Sequence, residues 1–172
     1  PQTHLPASLA ETIANQLNVL LSRAGQYTLQ ALIFLARQPH GERVMIKEMA
    51  DALSLPVFYL AKLMQAPSRA GWLDSARGRG GGVYLAADPA SINLLDILNM
   101  TDGHRLKREC LLGLKDCEDA TACVMHCDWK PIKQELADSL GQYSLAALAD
   151  NGMPEWMLSG VPTDKNSLLP HD

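Results

Sequence analysis

Cys110, Cys117, Cys123 and Cys127 are all the cysteines of this chain, and they fall within eighteen residues that also hold His126. Sulfur and imidazole crowded into one polar segment suit a metal ion, an iron–sulfur cluster or a thiol–disulfide switch. The spacing is Cys110-x6-Cys117-x5-Cys123-x2-His126-Cys127. Zinc sites usually bring ligands together in tight C-x2-C pairs, and none occurs here, so zinc is not favoured. Iron–sulfur clusters accept more varied thiolate spacing, and histidine can replace cysteine on one iron. Cys110, Cys117, Cys123 and His126 would complete four protein ligands. Cys127, adjacent to His126, is left as a spare or alternative ligand. Lys107, Arg108 and Lys115 lie near enough to favour thiolate, and Asp116, Glu118 and Asp119 oppose them.

The rest of the chain must position that segment. With 172 residues and 18.7 kDa it suits one domain, or a small domain with appendages. Hydrophobic residues make up 47% but aromatics only 5%, so aliphatic side chains must fill the core. The longest apolar run, Ala31–Ala36, is far short of a membrane span. The first residues have neither a basic start nor an apolar signal core, so no export signal is expected. Four cysteines without a signal point to a reducing, cytoplasmic setting. A net charge of −4 leaves polyanion binding to local charge alone.

Helical spacing runs from Val19 through Leu20, Tyr27, Ala31, Phe34 and Leu35, and Pro39-His40-Gly41 ends that helix. Residues 46–53 predict a second helix with Ile46, Met49, Ala50 and Leu53 on one face. Pro56 suits the first turn of a third helix over residues 57–66. Two short helices joined by a tight turn make a helix-turn-helix. Two short apolar runs, 72–76 and 83–86, then flank Arg77-Gly-Arg-Gly-Gly-Gly82, which reads as a β-hairpin wing. Residues 92–100 predict another helix, and Trp129, Ile132, Leu136 and Leu140 recur along a last one with Pro131 in its first turn.

A helix-turn-helix places its second helix in the major groove, where base edges can be told apart. Between Arg43 and Arg79 six basic residues face three acidic ones, an excess of three positive charges inside an acidic chain. Wing glycines allow close backbone approach, and arginine is drawn to a narrow minor groove. The DNA-facing set is read as Lys47, Pro56, Phe58, Tyr59, Lys62, Arg69, Arg77, Arg79, Gly80 and Gly81. The glycine run is no nucleotide loop, because the Lys-Ser/Thr of a P-loop is missing and no long apolar strand precedes it.

In this order the parts resemble the bacterial Rrf-type winged-helix regulators, the family of IscR-like and NsrR-like proteins. The resemblance covers about residues 20–149 and is carried by Leu21-Ser-Arg-Ala-Gly-Gln-Tyr-Thr-Leu29, Ile46-Lys-Glu-Met-Ala50, Leu55-Pro-Val-Phe-Tyr-Leu60, the stretch 70–85 and Ile92-Asn-Leu-Leu-Asp-Ile97. The wing is the most specific piece. The resemblance implies a homodimeric regulator that binds double-stranded DNA at a roughly palindromic operator. It also implies that Cys110, Cys117, Cys123 and His126 hold a 2Fe–2S cluster, as in IscR-like members, although the first gap is one residue longer here. NsrR-like members place an acidic residue near the first helix to help hold a 4Fe–4S cluster. Gln26 stands at that position, which favours the IscR-like branch. Pro67 is a second departure, standing where a large apolar residue is usual, and would end the recognition helix early.

The expected fold is mainly α, a winged helix-turn-helix with a small β-hairpin and a long dimerisation helix. The expected divisions are an N-terminal extension (1–18), the DNA-binding domain (19–100), a cysteine-rich cluster loop (101–127), a dimerisation helix region (128–150) and a flexible tail (151–172). The function read from this is a transcription regulator, expected to be a repressor, sensing redox state, iron or nitric oxide through the cluster. The alternatives are a winged-helix regulator that uses thiols or zinc, and a small thiol- or cluster-dependent oxidoreductase. Neither a cofactor loop, nor a C-x-x-C pair, nor an acid–base constellation supports an enzyme.

Overall fold

The computed structural model describes residues 21–76, 78, 80–114 and 116–150. The expectations for residues 1–18 and 151–172, and for the side chains of Arg77, Arg79 and Lys115, lie outside the described residues. In chain order the helices are α1 (Arg23–Ala36), α2 (Ile46–Ala52), α3 (Val57–Leu63), α4 (Gln65–Arg69), α5 (Leu94–Asp102), α6 (Arg105–Arg108), α7 (His126–Gly141) and α8 (Leu145–Asp150). The strands β1 (Leu73–Ala76) and β2 (Gly82–Leu85) stand between α4 and α5. The mainly helical fold with a hairpin wing is the one the pattern predicts.

Helix α1 is the hub. The Ser22 hydroxyl accepts the Gly25 amide at 3.1 Å and starts the helix. From Thr28 to Ile33 every residue is buried, so α1 is enclosed on all sides rather than along one stripe. Its neighbours are α3, α5, β2 and α8. The start of α1 meets the end of α5, where Asp102 accepts the Ser22 amide at 3.2 Å. A Cβ on Gly25 would lie 2.9 Å from that carboxylate, so glycine permits the approach.

The helix-turn-helix comprises α2 and α3, with Ser54 in left-handed backbone at the turn and Pro56 as the N-cap of α3. The third helix is shorter than the periodicity suggests, ending at Leu63 instead of running to Ala66. Pro67 explains the break. It offers no N–H to the Leu63 carbonyl, four residues back, and its ring would collide with that group. Backbone helix resumes as α4, where Pro67 occupies the first turn and is fully buried.

The wing pairs Leu73 with Leu85, Asp74 with Tyr84, Ser75 with Val83 and Ala76 with Gly82. Val44 adds a bridge to the hairpin. Its amide donates to Val83 O and its carbonyl accepts from Val83 N, both at 2.9 Å. This close approach depends on Gly82, because a Cβ there would sit 2.6 Å from the Val44 carbonyl oxygen.

Two features of the C-terminal half differ from the sequence reading. The last long helix begins at His126, inside the stretch read as loop, so α7 carries both His126 and Cys127. Pro131 therefore lies in the second turn, not the first, and removes the amide that would bond Cys127 O. The chain then returns to the winged-helix core. Leu145 N donates to Ile92 O at 2.7 Å and Leu94 N to Tyr143 O at 2.9 Å, and α8 packs on α1 with Leu145 and Ala149 buried.

Gly82→Ala is expected to destabilise the protein by about 1–3 kcal/mol, because backbone rather than a yielding side chain opposes the new methyl. Urea unfolding followed by circular dichroism measures it. An unchanged midpoint would mean that the Val44 bridge is dispensable.

Candidate functional site

The residues expected to face DNA lie on α2, α3, α4 and the wing. Phe58 is 93% exposed on the first turn of α3. Leaving that ring in water forgoes roughly 1.5–3 kcal/mol of burial, so folding alone does not account for it. Tyr59 is also exposed and meets Tyr27 edge-on, with ring centroids 6.0 Å apart. Lys47, Lys62 and Arg69 are exposed, and among the described residues none of them forms an ion pair. Pro56 is exposed at the start of α3. Gly80 is exposed at the wing tip, with Gly81 half-buried beside it. Gly81 N donates to Gly78 O at 2.9 Å, which closes the turn. Across the hairpin the Tyr84 hydroxyl donates to Asp74 at 3.0 Å. The Ser75 amide, followed by that hydroxyl, holds the Asp74 carboxyl below its ordinary range.

The cysteine segment resolves into two pairs. Cys110 Sγ and Cys123 Sγ stand 3.7 Å apart, and Cys117 Sγ lies 3.5 Å from His126 Nδ1. The Cys110 pair is set by a turn in which Gly113 N donates to Cys110 O. The backbone amides of Leu112 and Leu114 are the largest causes holding the Cys110 thiol below its ordinary pKa. Cys117 is placed by its own amide, which donates to Arg108 O at 2.7 Å. His126 is buried although it starts a helix, whereas Cys127 is exposed. Adjacent residues on a helix point about 100° apart, so the two side chains leave α7 in different directions.

Two thiolates bonded at about 2.3 Å to one tetrahedral metal stand about 3.7 Å apart. Each pair is therefore spaced to share a single metal. Among the described residues no three His, Cys, Asp or Glu side chains converge on one point. The donor set, three thiols and an imidazole in two pairs, fits an iron–sulfur cluster, whose thiolate ligands histidine can replace on one iron.

Residues 21–151 match the family profile Rrf2, described as iron-dependent transcriptional regulator. The chain belongs to the Rrf2 family. It is a DNA-binding transcription regulator of the winged-helix kind. Over 132 residues it is 30% identical to the HTH-type transcriptional regulator NsrR of Bacillus licheniformis, covering 76% of this chain and 92% of that one. It is 27% identical to the regulator IscR of Vibrio vulnificus, over 78% of this chain and 80% of that one. Among solved structures it resembles CymR, the global cysteine regulator of B. subtilis, with a TM-score of 0.65 and 28% identity, covering 77% of this chain and 97% of that one.

Within this Rrf2 chain, α7 holds the cysteine segment in place through residues the spacing alone did not single out. Lys133 is only 5% exposed, and its ammonium donates to Lys107 O at 2.8 Å and Glu109 O at 3.4 Å. Trp129 Nε1 also points to Glu109 O, at 3.4 Å. Asp119 accepts from Lys130 at 2.6 Å and lies 2.9 Å from His126 Nε2. The sequence did hold a signal. His126 with Lys130, and Trp129 with Lys133, are one helical turn apart, and such pairs share a face.

Lys133→Met keeps much of the apolar stem and removes the donor, leaving the carbonyls of Lys107 and Glu109 without it. A loss of about 1–3 kcal/mol is expected. Amide exchange should accelerate across residues 105–118 while α1 stays protected. Unchanged exchange there would show that Lys133 does not anchor the segment.

Proposed function

We propose that this Rrf2 regulator is a homodimeric repressor whose DNA affinity follows the state of a 2Fe–2S cluster held by Cys110, Cys117, Cys123 and His126. The observation that carries this reading is the arrangement of those ligands in two pairs, 3.7 and 3.5 Å apart. A 2Fe–2S cluster asks for two protein ligands on each iron, whereas a 4Fe–4S cluster asks for four separated ones. When bound, the cluster supplies a one-electron redox centre open to iron supply and nitric oxide. Cys127 remains the alternative ligand in this scheme.

The chain's own residues would do the rest. Helix α3 enters the major groove, where Phe58 meets thymine methyl groups and Lys62 reaches phosphate or a base edge. Tyr59 lies on the same helix, Lys47 and Arg69 flank it, and Pro56 stands at its entrance. Gly80 and Gly81 let the wing approach the minor groove, and Arg77 and Arg79 enter it. A second copy packs along α7, where Ile132 is exposed and Leu136 and Leu140 are half-buried. Two-fold symmetry would ask for a roughly palindromic operator. The protein acts in the cytoplasm, as a regulator rather than an enzyme. Among the described residues no helix is long and apolar enough to cross a membrane.

Protein purified without air should carry two irons and two sulfides per chain, and cluster-loaded and cluster-free forms should differ in operator affinity. Equal affinity in every cluster state would sink the sensing role. Lys62→Ala should weaken binding to all sequences about equally and lower the slope of log affinity against log salt by about one if Lys62 contacts phosphate.

One observation favours a second reading. Cys110 Sγ and Cys123 Sγ, at 3.7 Å, need only a small approach to reach the disulfide length of about 2.05 Å. A peroxide would take two electrons from the thiol pair, leaving a disulfide and water. Mass mapping of peroxide-treated protein that lacks iron and sulfide as purified distinguishes the two. A Cys110–Cys123 bridge that alters operator binding would favour the thiol switch.

A further inference from the structure

We propose that Asp119 is a positioning residue that fixes the histidine ligand, holding the proton on His126 Nε2 so that Nδ1 is left to bind iron beside Cys117. This inference rests on the cluster reading above. An imidazole presents two nitrogens, and the hydrogen bond made by one decides the role of the other. Here Nε2 lies 2.9 Å from Asp119 Oδ1, and Nδ1 lies 3.5 Å from Cys117 Sγ. An ionised carboxylate can only accept, so Nε2 carries the proton, and in the neutral imidazole Nδ1 keeps its lone pair on the cysteine side. The His126 side chain is 6% exposed, so water offers little competing partner.

Lys130 makes the arrangement definite. Its ammonium donates to the same Asp119 oxygen at 2.6 Å. His126 and Lys130 stand one turn apart on α7, and Asp119 opens the short 3-10 turn Asp119–Thr121. Thr121 ties that turn down by donating its hydroxyl to Asp116 O and its amide to Glu118 O. The carboxylate thus comes from the segment between Cys117 and Cys123, and both groups it engages come from α7. Asp119 makes a basic imidazole a stronger electron donor to iron and favours the oxidised cluster. Lys130, by sharing the carboxylate, moderates that donation.

Two measurements test this, one of which needs no cluster. In cluster-free protein labelled with 15N at histidine, kept at a pH where His126 is neutral, His126 should be the Nε2–H tautomer. It should lose that preference in Asp119→Ala and keep it in Asp119→Asn and Asp119→Glu. In cluster-loaded protein, Asp119→Ala and Asp119→Asn should both raise the reduction potential, and Asp119→Glu should restore it. Asp119→Ala should also lose its cluster to a chelator about tenfold faster than the unaltered protein. An Nδ1–H tautomer in the unaltered protein would overturn the proposal, as would a potential that Asp119→Ala leaves in place. Absence of iron and sulfide from the unaltered protein would instead overturn the cluster reading, and the tautomer then decides whether Asp119 orients His126 on its own.

Discussion

The enclosure of α1 is the constraint on which the rest depends. Six consecutive buried residues, Thr28 to Ile33, need partners in every direction. The helix-turn-helix, β2 and α5 cover much of that surface. The remaining cover is α8, which the chain delivers only after passing through the cysteine segment and α7. The backbone bonds joining Ile92 to Leu145 and Leu94 to Tyr143 clamp both ends of this excursion beside the DNA-binding core. The cysteines thus sit on a loop whose two feet stand against the helix that organises the reading head. Through α5 and α8 that loop is joined to α1.

That loop has almost no packing of its own. Among the described residues from Gly103 to Met125 not one is buried. Its ion pairs, Arg105–Glu109 and Arg108–Asp116, are exposed on both partners and contribute little in water. What holds it is α7, through buried Lys133 and His126 and half-buried Trp129. Segments with few buried contacts occupy the low end of local stability and open readily. A bound cluster would act as the missing core, since metal binding free energy becomes ordering free energy in such a segment.

Legibility in the sequence followed the range of the interaction. Helix faces such as Ile46, Met49, Ala50 and Leu53 depend on neighbours three and four residues away, and the pattern located α2 to within a residue. The hairpin was legible because glycine and apolar runs alternate over a dozen positions. Pro67 was legible as a helix breaker, although its effect falls at Leu63, four residues upstream, where the missing bond would have been. Helix α8 was not legible, because Leu145 and Ala149 are buried by α1, more than a hundred residues away. The start of α7 was hidden for a related reason. Nothing local marks His126 as helical, since its N-cap Met125 has no capping side-chain bond and Pro131 falsely signals a later first turn.

The candidate site divides the same way. Spacing named the thiols and the imidazole, but spacing is one-dimensional and could not pair Cys110 with Cys123 or Cys117 with His126. Pairing depends on how the turn at Gly113 and the start of α7 fold back on each other. The same fold-back brings Asp119, an unremarkable acid in a mixed-charge run, against the buried histidine. Charge counting near the cysteines set Asp119 against thiolate formation. In three dimensions the carboxylate is turned to Lys130 and His126, so it acts on the imidazole and leaves the sulfurs to the backbone amides of Leu112 and Leu114. The chemistry of the segment is therefore set less by its net charge than by which dipoles and charges the turn geometry aims at each ligand.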